Sequence, residues 1–478
     1  MREKDIFIVK TVKLLSIILL YYIVGTKNLF LYVLSLSLYE ILSSFFCHIS
    51  FKERLSKLEN NCDKYKIYRF TIAGICIISS IFLLLGIVVS DIISILLNIS
   101  DILLIFIFMG ISIAILPLVQ VTSEYYENIN KNIKYQKLIN LYYLFDNILL
   151  LIISLLVFRL FNVKESVAVS LLYLSKIISG LLILGFIYLI NRGRDNSGGY
   201  SKKVNYYYEL KKIFFSNNTK KIIRIVKNSY YYISIIVLYI ILSTRYNYMA
   251  YEIGNILSFV YFYALSIIQY LVYIVKYIND NLPSKITIIN KIYSNFRIML
   301  SLIIFFGIIS PIICKLLFNN SDYAIYLSMV NMMAIFVLLY DIVYENVNNK
   351  KVIYVSLIIG IISKLVLIVP LINSFYRMGY NLIYGDILST IIGMFLSIAV
   401  NYIYIVNTNV SSEKYFEKFL KILFDNIVFC IVLVLIQFII PMNTDNYFKA
   451  LGLLWLYLLC IYVVIKIKHI KLRGKKRG

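Results

Sequence analysis

The chain has 478 residues, of which 61% are hydrophobic and 15% are charged, and its mean hydropathy is +0.83. A soluble core cannot bury that much apolar surface, so most of it must face lipid or other membrane helices. The net charge of +24 would suggest nucleic-acid binding in a soluble protein. Here the placement of the charge indicates membrane topology instead, and we expect no nucleic-acid partner.

Long apolar segments predict an all-α integral membrane protein with about fourteen transmembrane helices, each near the roughly 20 residues that a bilayer requires. The predicted helices span residues 7–24, 28–50, 68–90, 101–123, 139–161, 166–190, 229–245, 250–275, 297–318, 322–344, 352–372, 384–406, 419–441 and 446–466.

Lysine and arginine concentrate on one side of these helices. Thirty-nine of the 48 fall in the termini and in every second loop. The positive-inside rule therefore places both termini in the cytoplasm of a multi-pass protein. The same residues suit the anionic headgroups of membrane lipids. The first apolar run lacks a small-residue cleavage site, so it is interpreted as a membrane helix and not as a signal peptide.

Four regions follow from this pattern. Residues 1–190 form an N-terminal lobe of six helices, and residues 229–406 form a second, pseudo-symmetric lobe of six. Between them, residues 191–228 form a basic cytoplasmic linker, which is either an amphipathic helix at the membrane interface or a disordered basic loop. Residues 407–478 hold two further helices and a basic cytoplasmic tail.

A short internal repeat supports the division into two lobes. Residues 126–130 read Tyr-Glu-Asn-Ile-Asn and return 218 positions later, at residues 344–348, as Tyr-Glu-Asn-Val-Asn. Each copy lies between two predicted membrane helices. Internal repeats are typical of transporters whose substrate path lies between the repeats. Chance is the alternative, because these residue types are abundant in the chain.

Buried charges are the main candidates for function. Asp146 in the fifth helix and Lys364 in the eleventh each lie nineteen residues after the repeated glutamate. A charge at mid-bilayer costs about 2.5–3.5 kcal/mol and usually faces a cavity or a partner. The two charges could pair across a central cavity, line it separately, or pair within their own lobes. Lys176 in the sixth helix has no partner that the sequence identifies.

Other polar residues are weaker candidates for the substrate cavity. Asp341 ends the tenth helix, and Glu252 and Asn255 lie in the eighth. Asp386 lies near a helix end, where we expect exposure to water and no role in a cavity.

Two prolines are candidates for hinges or kinks. Pro117 lies inside the fourth predicted helix and Pro311 inside the ninth. Each removes a backbone hydrogen bond, which either permits a gating motion or gives a static bend.

The sequence contains no recognisable catalytic motif. It has only two histidines, no phosphate-binding loop, no nucleophile elbow, and six cysteines without metal-binding spacing. We therefore expect no enzyme activity, no catalytic residue, no cofactor and no metal site.

Six segments follow one another along the chain in a recognisable order: residues 23–25, 51–55, 123–147, 316–319, 345–364 and 379–393. Their order resembles the MOP superfamily, which exports lipid-linked oligosaccharides, and in particular its polysaccharide flippases and the relatives that act in sporulation and on lipid II.

The resemblance implies a monomeric flippase of the bacterial cytoplasmic membrane that moves a lipid-linked sugar by alternating access. It implies that Lys364 attracts the diphosphate, and that Asp146 repels it, pairs with Lys364 or takes up a proton or cation. Coupling to the membrane potential, H⁺ or Na⁺ is open.

The pattern departs from the lipid II flippases, which carry arginines in the N-terminal lobe and the eighth helix. Here the corresponding helices offer Glu40, Glu252 and Asn255, which favours a more general oligosaccharide or polysaccharide flippase. The alternatives are a multidrug or cation antiporter of the same superfamily, a membrane polymerase or glycosyltransferase, and a scaffold that no longer transports.

Overall fold

The computed structural model is almost entirely helical in the part of the chain that it describes. That part comprises residues 3–25, 29–46, 51–58, 61–97, 102–129, 134–161, 163–191, 206–215, 218–246, 250–280, 288–408 and 455. Helices are expected because a chain in lipid must satisfy its backbone hydrogen bonds within each segment.

The first half of the described chain contains nine helices. They are α1 Glu3–Val24, α2 Phe30–Ser43, α3 Phe51–Leu55, α4 Asn61–Leu97, α5 Leu103–Ile129, α6 Tyr135–Leu155, α7 Glu165–Leu172, α8 Leu174–Asn191 and α9 Tyr206–Phe215. A π-helical turn, Leu156–Leu160, extends α6, and a 3₁₀ turn, Ser44–Phe46, follows α2.

The second half of the described chain contains seven helices. They are α10 Asn218–Arg245, α11 Ala250–Ser258, α12 Leu265–Asp280, α13 Ile288–Phe318, α14 Ala324–Asn346, α15 Lys350–Arg377 and α16 Ile383–Thr408. A π-helical turn, Phe259–Ala264, joins α11 to α12.

Twelve stretches of the described residues are long and apolar enough to cross a membrane, and they correspond to the first twelve predicted helices. The predicted helices at 419–441 and 446–466 lie outside the described residues. The predicted seventh helix is longer than expected, because α10 begins at Asn218 and not at residue 229. The predicted linker therefore contributes α9 and the first turns of α10.

Contacts divide the chain into two compact units. One comprises residues 1–266 and 347–400, and the other comprises residues 267–346 and 401–478. The first unit contains α1–α11 and α15, and the second contains α13 and α14. The two lobes expected from the sequence, 1–190 and 229–406, stay a prediction.

Helices α15 and α16 approach closely at two glycines. A Cβ atom built on Gly360 would lie 2.9 Å from the carbonyl oxygen of Gly393, and one built on Gly393 would lie 2.7 Å from the carbonyl oxygen of Gly360. Small residues allow membrane helices to pack backbone against backbone. Gly379, with φ +74°, lies in the turn between the two helices and adopts the left-handed conformation that suits glycine.

We expect Gly360→Ala and Gly393→Ala each to destabilise the protein by about 1–3 kcal/mol, because the added methyl overpacks the contact between α15 and α16. Thermal unfolding of the purified protein in detergent measures this as a lower Tm. Gly185→Ala is the matched control, since nothing lies within 4 Å of a Cβ atom at that helical position. Equal Tm values for all three variants would contradict the close packing.

Candidate functional site: two buried ion pairs

Asp146 forms an ion pair with Lys176, across helices α6 and α8. The Nζ atom of Lys176 lies 2.9 Å from Oδ2 of Asp146, and the hydroxyl of Ser175 donates to Oδ1 at 2.7 Å. The two charged side chains are only 14% and 10% exposed, Lys176 first. The carboxylate therefore has one charged and one neutral donor, which offsets part of the free energy lost when it leaves water.

Aromatic side chains enclose this pair. The Nζ atom of Lys176 lies 5.3 Å from the ring centre of Tyr39 on α2, a distance at which the ring face attracts a cation. Tyr173, which is fully buried, stacks at tilted angles against Tyr32 and Tyr39 and donates its hydroxyl to Ser35 at 2.9 Å. Helix α2 is thus joined to α6 and α8 around the charge.

Lys364 has a second, more deeply buried environment on α15. Its Nζ atom donates to the carbonyl oxygen of Tyr230 at 2.6 Å, to the hydroxyl of Thr390 at 2.6 Å and to the hydroxyl of Ser234. Three acceptors use all three N–H groups of an ammonium. Asp386 supplies the opposite charge, with Oδ1 3.7 Å from Nζ, and both side chains are 0% exposed.

Asp386 is positioned by a third helix. Its Oδ2 atom accepts a hydrogen bond from the hydroxyl of Tyr261, which lies in the buried π-helical turn Phe259–Ala264. Such turns insert one extra residue into a helix and often occur at functional sites. The pair therefore connects α10, α15, α16 and the turn between α11 and α12.

The two ion pairs occupy corresponding helices with reversed polarity. The fifth and sixth membrane helices carry Asp146 and Lys176, whereas the eleventh and twelfth carry Lys364 and Asp386. Of the three arrangements that the sequence allowed, this is pairing within each half. Asp146 and Lys364 do not pair with each other in this structure. The partner that the sequence could not assign to Lys176 is Asp146.

Asp386 corrects one expectation. We expected it to be exposed to water because it is the fourth residue of α16, close to the helix end, yet it is completely buried. The first turn of α16 is covered by the π-helical turn that carries Tyr261, so a position near a helix end is not a position near water here.

The repeated glutamates also have equivalent partners. Glu127, at the end of α5, binds Lys52 of α3 at 2.7 Å, and Glu345, at the end of α14, binds Lys276 of α12 at 2.7 Å. Lys52 lies near the end of the second membrane-spanning stretch and Lys276 ends the eighth, so the four residues repeat in similar positions. These pairs are partly exposed, and pairs of that kind contribute little to stability. They favour a structural origin for the sequence repeat over chance.

The remaining candidates lie elsewhere. Glu252 and Asn255 are half-buried on α11 in the first unit, and Asp341 is half-buried on α14 in the second. Pro117 lies inside α5 and Pro311 inside α13, as predicted. The role of Glu252, Asn255 and Asp341 in a substrate cavity stays a prediction.

Sequence reasoning missed Ser234, Tyr261 and Thr390 because polar residues of this kind are common in membrane helices. It also missed the pairing of Asp146, for which a signal exists. Asp146 and Lys176 are each fifteen residues from Phe161, where the chain turns, so antiparallel helices place them level. Lys364 and Asp386 lie at unequal distances from their turn, and the same counting does not find them.

Comparison with solved structures identifies the fold. A structure of the lipid II flippase MurJ in an inward closed conformation matches with a TM-score of 0.67 and 15% identity, covering 98% of both chains. An inward-facing multidrug resistance MATE family transporter of the MOP superfamily matches with a TM-score of 0.53 and 11% identity, covering 84% of this chain and 91% of that one. No protein-family model matches the sequence, and neither does any curated protein.

At these identities the likeness shows the fold alone, which this chain shares with solved structures of multi-pass membrane transporters. The sequence resemblance is confirmed at this level. The solved structures that share the fold are transporters and flippases and not enzymes, in agreement with the sequence prediction.

We expect the charge reversal Asp146→Lys to prevent folding and the double variant Asp146→Lys, Lys176→Asp to restore it, because the double variant re-forms the ion pair with opposite polarity. The yield of monodisperse protein in detergent and its Tm measure this. The matched control is Asp146→Lys with Lys364→Asp, which places two like charges at each site and does not restore folding. Rescue by the control would contradict the pairing.

Removal of one charge from the pair Lys364–Asp386 should destabilise the protein more than removal of both. Lys364→Met leaves the Asp386 carboxylate buried without its cation, which typically costs about 3–5 kcal/mol. We expect the double variant Lys364→Met, Asp386→Asn to recover a large part of this loss in thermal unfolding. A double variant with the same Tm as the single one would show that the ion pair is not what holds these helices.

Proposed function

We propose that this protein translocates a lipid-linked oligosaccharide or polysaccharide precursor across the bacterial cytoplasmic membrane by alternating access. One observation carries the proposal: the chain shares its fold with a lipid II flippase over 98% of both lengths. The multidrug transporter structure leaves a larger part of the chain unmatched, since it covers 84%. We also propose that the protein is a monomer and that both of its termini lie in the cytoplasm.

The physical task explains why such a fold is suitable. The sugar and diphosphate of a lipid-linked precursor cannot cross hydrocarbon alone, because their polar groups would lose their hydrogen bonds to water. A bundle of helices can shield the head while the lipid tail remains in the bilayer. Rocking of repeated halves about a central site then exposes the head to each side in turn.

The ion pairs offer a way to store two lysine ammonium groups for substrate binding while they are buried. Lys176 and Lys364 are neutralised here by Asp146 and Asp386. We propose that opening of the protein frees these lysines to attract the diphosphate and that the aspartates take them back afterwards. This replaces the simpler idea that Lys364 lines an open cavity. Coupling to the membrane potential, H⁺ or Na⁺ belongs to the same proposal.

The substrate class follows from charge. Glu40, Glu252 and Asn255 stand in helices where lipid II flippases would carry arginines, and none of them supplies a positive charge. We therefore propose an oligosaccharide or polysaccharide precursor other than lipid II. Glu252, Asn255 and Asp341 are proposed contacts for sugar hydroxyls, and Pro117 and Pro311 are proposed hinges.

A multidrug or cation antiporter is the second candidate, supported by the match to the MATE family structure with a TM-score of 0.53. Antiporters of this superfamily typically have twelve membrane helices. The predicted helices at 419–441 and 446–466 would be surplus to that function, which is why the flippase is preferred.

The test is lipid translocation in proteoliposomes. The probe is a polyprenyl-diphosphate oligosaccharide with a fluorophore on the sugar, and a membrane-impermeant reductant bleaches the molecules that reach the outer leaflet. We expect the protein to make the inner-leaflet probe accessible within the assay. The variant Lys364→Met, Asp386→Asn should lose this activity, and Gly185→Ala should keep it.

A second measurement uses the same vesicles. Ethidium is loaded and an H⁺ or Na⁺ gradient is imposed. If the ion gradient makes the protein move ethidium up its own concentration gradient, and the lipid probe stays in place, the antiporter replaces the flippase. If lipid II is moved as fast as the oligosaccharide probe, the proposed substrate class is wrong.

A further inference from the structure

Helix α9 has two faces of different chemistry. Glu209, Leu210, Ile213 and Phe214 are buried or half-buried on one face. The opposite face is exposed and lies at positions i, i+1, i+4, i+5 and i+8, which align along one side of a helix. Its residues are Tyr207, Tyr208, Lys211, Lys212 and Phe215.

The buried face is fixed to the protein. Arg54 of α3 makes two hydrogen bonds to the carboxylate of Glu209. The ring of Phe214 lies against Gly74 of α4, with 2.9 Å between a ring carbon and the position of a Cβ atom there. Lys221 of α10 donates to the carbonyl oxygen of Phe214. The apolar side of this amphipathic helix is therefore covered by protein and not by lipid.

Contacts with α4 give the depth of α9 in the membrane. On α4, Arg69 is the last charged residue before an apolar run that continues to Asp91. Gly74, which Phe214 touches, lies five residues after Arg69, or about 7.5 Å along the helix. The positive-inside rule places this basic end of α4 on the cytoplasmic side. The helix α9 thus lies where hydrocarbon gives way to headgroups.

The exposed face has the composition expected at that depth. Tyrosine is enriched at headgroup level because its ring is apolar and its hydroxyl is polar. Lysine extends its ammonium towards the phosphates. The Nζ atom of Lys212 lies 4.2 Å from the ring centre of Tyr208, a distance at which the ring face attracts the ammonium group.

We propose that the exposed face of α9 binds the anionic headgroups of phospholipids in the cytoplasmic leaflet. The face carries two positive charges and no negative charge, which complements a phosphodiester. Its depth favours lipid over a soluble acidic partner. This inference stands independently of the transported substrate.

The experiment uses the single tryptophan of the chain. Trp455→Phe removes it, and Tyr207→Trp then places one fluorophore on the face of α9. The protein is studied in nanodiscs of fixed phosphatidylglycerol and phosphatidylcholine content, with a headgroup-proximal spin label on one lipid or the other. We expect labelled phosphatidylglycerol to quench at least about two-fold more strongly than labelled phosphatidylcholine, because each lysine near the surface favours the anionic lipid.

The variant Lys211→Gln, Lys212→Gln should abolish this preference. Its matched control is Lys134→Gln, Lys137→Gln, which removes two exposed lysines from another cytoplasmic segment and should leave the preference intact. Equal quenching by the two lipids, no quenching by either, or loss of preference in the control would overturn the proposal. Preference for an added polyprenyl diphosphate over phosphatidylglycerol would also overturn it, and would assign the face to substrate instead.

Discussion

The arrangement of helices depends on one constraint: a charge that leaves water inside a membrane bundle must meet an opposite charge or a complete set of hydrogen bonds. Lys364 meets both conditions, with three oxygen acceptors and the Asp386 carboxylate. The contacts that satisfy it come from two other helices, α10 and α16, so one side chain of α15 ties three helices together. The close approach of Gly360 and Gly393 makes room for this geometry, since Gly393 also lies next to Lys364.

The two halves of the sequence are related by the positions of their charges rather than by the identity of their residues. Asp146 and Lys364 hold the same place after the repeated glutamates, but one is an acid and the other a base. Each meets its opposite on the following membrane helix. An ion pair keeps its attraction when both charges are reversed, so both halves keep a pair between corresponding helices. The reversal places the acid and the base on opposite helices in the two halves.

The fold and the substrate are supported by different observations. The fold is that of membrane transporters and flippases, and it follows from solved structures. The proposed substrate class rests instead on the charged residues that the helices carry and on the arginines that they lack. The proposed lipid contact of α9 is a separate matter, which rests on the contacts that hold this helix to α3, α4 and α10 and on the two lysines of its exposed face.

The sequence by itself determined the all-helical membrane class, the location of the first twelve membrane helices and the candidates Asp146 and Lys364, because hydropathy and isolated charges are local properties. Tertiary structure decided which charges meet. Asp146 and Lys176 lie at the same height because each is fifteen residues from the turn at Phe161. The burial of Asp386, in contrast, requires the π-helical turn that carries Tyr261. The orientation of α9 is likewise a tertiary result: its apolar face fits lipid and protein equally well, and only Arg54, Gly74 and Lys221 turn that face inward.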